Sequence, residues 1–175
     1  MKKLIGCLSG IMILLAAASC VNNKPARNFN NMVDESAVSF VKQGLEVSQT
    51  EINASKMAQT TSKNARVINF AQMMIADHAG VNDDLQKIAI ANKIAASDSI
   101  GAAHQAAITS MANNSGVKFD QAYIQLMING HQEAIKIFNV AKSDRNEDVQ
   151  RFARKTLPVL MMHLDSANAI AASLK

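Results

Sequence analysis

From residue 33 to residue 62, Phe40, Gly44, Val47, Glu51, Ala54 and Ala58 recur at alternating steps of four and three, the spacing of one face of an α-helix. The same rhythm returns at 65–93 through Val67, Ala71, Met74, His78, Val81, Leu85 and Ile88. It appears again at 118–142 through Ile124, Met127, His131, Ala134, Phe138 and Ala141, and at 146–174 through Val149, Phe152, Thr156, Val159, His163, Ser166 and Ile170. Four long helices are therefore predicted. Residues 94–117 contain two turn-like strings, Ser97-Asp98-Ser99 and Asn113-Asn114-Ser115-Gly116, around an alanine-rich piece at 101–112 that predicts a short extra helix. The breaks at Ser62-Lys63-Asn64 and Ser143-Asp144 are short, which predicts antiparallel neighbours in an up-down-up-down four-helix bundle, with the connector joining the long helices at one end.

The segment before residue 32 follows a different pattern. Lys2 and Lys3 precede an apolar run from Leu4 to Ala18 that is short for a membrane span, the layout of a cleaved export signal. The run closes in Ala17-Ala18-Ser19-Cys20, which resembles the lipobox of bacterial lipoproteins, with Ala17 where leucine is commoner. The expected organisation is a signal peptide at 1–19, a polar tether at 20–31 starting at a lipidated Cys20, and a bundle domain at 32–175. The expected location is the cell envelope, outside the cytoplasm, anchored to a membrane by lipid.

Composition narrows the functional classes. The chain has 175 residues, 49% hydrophobic but only 4% aromatic, so alanine and methionine carry much of the core and a β-sandwich is disfavoured. The formal charge is +4; without Lys2 and Lys3 it is 16 Lys+Arg against 14 Asp+Glu, too weak and dispersed for nucleic-acid binding. Cys7 falls in the segment expected to be removed, which excludes disulfide scaffolds, thiolate zinc sites and a cysteine nucleophile from the mature chain. No glycine-rich phosphate loop and no Ser/His/Asp set is present, and no residue is assigned a catalytic role.

The candidate chemistry lies where the apolar seams are interrupted. Each seam carries one metal-capable side chain near its middle: Glu51, His78, His131 and His163. A buried carboxylate among apolar helices needs a partner, which imidazoles, a cation or both can supply. Counting from two loops placed at one end, the first three fall within roughly 5 Å along the bundle axis and His163 about 6–11 Å further on. Three nitrogens and one oxygen suit zinc, copper or iron. The alternative is a structural or interaction module in which the same residues form a buried hydrogen-bonded network with no metal and no catalysis, and metal-assisted catalysis would require an open coordination position.

Other residues have plainer expectations. Asp77 could orient an imidazole or remain solvated, and the solvated reading is favoured because adjacent helix positions point about 100° apart. His104 is expected to be exposed, Asp120 to favour a helix N-terminus, Met73, Met74, Met127, Met161 and Met162 to fill core, and Pro158 to kink the last helix before His163. A local string, Phe70-x-Gln72-x-Met74-Ile75-x-x-His78, returns as Tyr123-x-Gln125-x-Met127-Ile128-x-x-His131, a weak sign of duplication.

Taken in order, Val67-x-x-Phe70-Ala71-x-Met73-Met74-x-x-Asp77-His78, Phe119-Asp120-x-x-Tyr123 with Met127 and His131, and Leu157-Pro158-x-Leu160-x-x-His163-Leu164 resemble the bacterial domain-of-unknown-function family 4142 over about residues 33–174. The resemblance implies a ferritin-like four-helix domain in exported, often envelope-associated proteins, and no particular activity. Family members commonly have Asp-His in the third long helix, where this chain has Gly130-His131.

Overall fold

The computed structural model describes residues 34–97 and 99–174; the signal-like run, Cys20 and the tether lie outside them. The described residues form five helices and no strand: α1 Glu35–Thr61, α2 Ala65–Ala91, α3 Ala102–Ala112, α4 Val117–Ala141 and α5 Glu147–Ala171. Three starts are set by side chains that accept otherwise unpaired backbone N–H groups: Asp34 from Ser36, Asn64 from Arg66, and Asn146 from Asp148 and Val149. Glycines stand at the other two. Gly116, before α4, has φ +56°, a conformation open to glycine without strain. α5 continues through Pro158 from end to end.

The helices pack as a bundle whose interior is two apolar clusters. One gathers Phe40, Val41 and Leu45 from the start of α1, Leu85 and Ile88 from the end of α2, Phe138 from the end of α4, and Phe152 and Leu160 from α5. Its rings Phe40 and Phe138 meet edge-on at 5.0 Å between centroids. The second gathers Ala54 and Ala58 from the end of α1, Phe70 and Met74 from the start of α2, Phe119, Tyr123 and Met127 from the start of α4, and Ala167 and Ile170 from the end of α5. Ile108 and Met111 of α3 join it.

This division corrects the expected up-down-up-down order. The end of α2 and the start of α4 belong to different clusters, so the link between them runs from one end of the bundle to the other and the two short loops lie at opposite ends. α3 is the middle of that crossover and packs on α1 and α4. The methionines divide as well: Met74 and Met127 are core, while Met161 and Met162 are exposed.

Candidate metal centre

The four seam residues occupy the gap between the two clusters. On each long helix the last residue of one cluster and the first of the other bracket a polar position: Leu45 and Ala54 around Glu51, Met74 and Leu85 around His78, Ile128 and Ala134 around His131, Leu160 and Ala167 around His163. All four are buried, and the three imidazole centroids are 5.4–5.6 Å apart. His163 is therefore level with the others rather than a further 6–11 Å along the axis. Loops at opposite ends alter the counting frame, but residues near the middle of each helix meet in either frame.

The hydrogen-bond partners decide which ring nitrogens carry protons. His131 Nδ1 lies 2.9 Å from the Met127 carbonyl oxygen, which only accepts, so the proton is on Nδ1. His163 Nε2 lies 2.9 Å from Asp77 Oδ2, so its proton is on Nε2. His78 Nδ1 lies 3.2 Å from Ser48 Oγ, whose own O–H donates to the His78 carbonyl at 3.1 Å, so Nδ1 of His78 is again the donor. These assignments leave the lone pairs of His78 Nε2, His131 Nε2 and His163 Nδ1 in the neutral rings. His78 Nε2 is buried without any partner. His131 Nε2 and His163 Nδ1 face each other at 3.3 Å.

Two neutral lone pairs at that distance repel unless a proton or a cation stands between them. Two imidazoles on one tetrahedral ion at about 2.0–2.1 Å would have their nitrogens about 3.3–3.4 Å apart, so the spacing fits a shared metal. One ring nitrogen from each of the three histidines lies within 4.8 Å of the other two.

Two carboxylates approach from the N–H side. Glu51 Oε1 is 3.0 Å from His131 Nδ1 and Oε2 is 3.2 Å from His78 Nδ1. Because those N–H groups point at Met127 and Ser48, these are charge contacts and neither Glu51 oxygen receives an aligned hydrogen bond. Asp77, 40% exposed, is the second carboxylate, and its bond to His163 corrects the expectation that it is solvated. Adjacent positions on α2 address different partners: His78 faces inward and Asp77 reaches across to α5.

Charge states follow from these surroundings. Burial pushes Glu51 up, but His78 and His131 outweigh it and hold the carboxyl below its ordinary value. Burial lowers His78 to about 4 despite Glu51, and it also lowers His163 against the opposing pull of Asp77. Burial disfavours a charged His131, yet the Glu51 charge and contact lift it above the usual histidine value. His104 is not fully exposed as expected. It sits one-third exposed with Nδ1 2.7 Å from Glu46 Oε1, which also accepts from the Gly101 N–H at the start of α3.

An all-helical bundle with a buried histidine and carboxylate layer is the class these features define. A family model described as a domain of unknown function (DUF4142) matches residues 22–170, and the chain belongs to that family. Comparison with curated proteins and with solved structures gave no match.

Proposed function

We propose that the protein binds one divalent transition-metal ion, zinc, copper or iron, through His78 Nε2, His131 Nε2 and His163 Nδ1. The meeting of three buried imidazoles, one ring nitrogen of each within 4.8 Å of the other two, with His131 Nε2 and His163 Nδ1 at 3.3 Å and His78 Nε2 without a partner, carries this reading. Sequence reasoning placed Glu51 among the ligands; its contacts favour a different role. Glu51 and Asp77 contact the N–H side of the rings, where a carboxylate orients a ligand and raises its basicity. Together their two negative charges balance a divalent ion in a layer closed above and below by apolar clusters.

We also propose that the long helices form a ferritin-like antiparallel bundle with one long crossover, the connectivity that distinguishes ferritin-like folds from simple up-and-down bundles. Lys2, Lys3, the short apolar run and Ala17-Ala18-Ser19-Cys20 support export and lipidation at Cys20, with the domain held at an envelope membrane. No described helix is long and apolar enough to cross a membrane. Multiple acylation is expected, because one acyl chain binds only marginally.

Elemental analysis of the tag-free protein, before and after incubation with zinc, copper and ferrous ions, tests the metal reading. One ion per chain, lost in both His78→Ala and His131→Ala, is the expected result. No stoichiometric metal in the wild type, with both variants equally destabilised whether or not metal is supplied, would establish a buried polar network instead. Cys20→Ser should release the protein from membranes and remove the acyl mass; unchanged retention without acyl mass would overturn the anchor.

A further inference from the structure

A divalent ion that binds the histidine layer has to reach it from water. Along the bundle axis both approaches are filled, because an apolar cluster lies on either side of the layer. The small cavity beside the layer, about 20 Å³, has an apolar lining in which Val47, Val81, Phe138 and Leu160 take part, and a cation would have to shed its hydration shell there with nothing in exchange. Asp77 is different. Its side chain is 40% exposed, whereas those of Glu51, His78, His131 and His163 are 3% exposed or less. From Asp77 the polar contacts run inward without a gap: Asp77 Oδ2 to His163 Nε2 at 2.9 Å, then His163 Nδ1 to His131 Nε2 at 3.3 Å. The surface beside it is open, since Gly80, three residues further along α2, is exposed and a Cβ there would meet no atom within 4 Å. On the facing helix, Pro158 removes one backbone hydrogen bond from α5 five residues before His163.

We infer that ions enter and leave the layer between α2 and α5, captured first by the Asp77 carboxylate and admitted by His163. This rests on the metal reading of the layer and adds its route. Each group has one task. The Asp77 charge draws a hydrated cation and supplies the first oxygen to replace a lost water. A carboxylate that holds an ion no longer holds the His163 N–H, and the freed ring turns aside, lets the ion reach the nitrogens of His78 and His131, and closes behind it as the third ligand. His163 is the last ligand on and the first off.

Zinc is the probe, with the full chain. Its binding by the wild type at equilibrium is measured first, and a wild type that holds none would sink the zinc reading and the route together. Stopped-flow mixing against a fluorescent zinc chelator then gives association and dissociation rate constants separately. Asp77→Asn should slow association at low ionic strength about tenfold or more and flatten its salt dependence, whereas an orienting role alone would appear only as faster release. Gly80→Phe clashes with nothing and lays its ring over the preceding turn, which carries Asp77, so it should slow association and dissociation several-fold by a common factor. Association unchanged in Asp77→Asn, or both rates unchanged in Gly80→Phe, would overturn the route and leave the metal reading standing.

Discussion

At the scale of single residues, Gly130 reverses an ordinary rule. Glycine within a helix usually costs about 0.5–1 kcal/mol relative to alanine, so Gly→Ala there stabilises. Here a Cβ on Gly130 would lie 2.6 Å from Glu51 Oε1. Gly130→Ala should therefore destabilise the protein and displace the carboxylate from His131, and urea denaturation reads the sign. Asp77 offers a contrasting case. It is partly exposed and bonds only to the far nitrogen of His163, so Asp77→Asn should leave thermal stability nearly unchanged while weakening metal binding about 10–100-fold in chelator competition. Glu51 and the three histidines were legible because each breaks an apolar seam. The partner of Asp77 and the role of Gly130 were not, since their meaning lies in what faces them from α5 and α1, and no spacing along one helix records that.

The same distinction operates between elements. Periodicity identifies which face of a helix is buried but carries no sign for up or down. Links as short as 62–64 fix α1 against α2, whereas the 92–116 link, with a helix inside it, is long enough to end on either side of the bundle. Its apolar residues Ile94, Ile108 and Met111 were the available clue: the first joins one cluster and the other two join its opposite. α3 also has an unusual fastening. No side chain of its own caps it, and Glu46 of α1 accepts from both Gly101 and His104. The His104 bond holds the Glu46 carboxyl below its ordinary value, so this contribution is present above the unfolded carboxylate range and is lost as pH falls through the lowered folded value. Amide protection in α3, corrected for intrinsic exchange, should fall ahead of α1 and α4 as pH drops below the ordinary carboxylate range, and Glu46→Gln should remove that pH dependence. Within the apolar clusters themselves, fully buried Leu85 predicts a loss of about 2–5 kcal/mol on Leu85→Ala, measured by denaturant unfolding.

For the molecule as a whole, the proposed metal ion and protons would compete for the same layer. An ion at 100 times its dissociation constant should stabilise the fold by about 2.7 kcal/mol, seen as a higher Tm that His78→Ala abolishes. His78 has a folded value near 4 against an ordinary 6.5, so between those limits the unfolded chain holds more protons and acidification favours unfolding. His131 acts with the opposite sign, since its raised value adds stability in the metal-free protein below the ordinary histidine range and loses it as pH rises through the folded value. Metal uptake should consequently release a proton from His131 near neutrality and weaken toward acid, which calorimetry in buffers of different ionisation enthalpy measures.

The crossover also divides the chain into two hairpins. Glu51 and His78 belong to the α1–α2 hairpin, and His131 and His163 to the α4–α5 hairpin, with Lys93 exposed on the strand of backbone between them at φ +56°. A single proteolytic nick there would yield two helical fragments, each carrying part of the polar layer and part of each apolar cluster. Neither piece alone could complete the coordination sphere. Their reassociation would be a bimolecular reaction driven by the two apolar clusters and drawn tighter by the ion, so that the affinity of one fragment for the other would report metal occupancy directly.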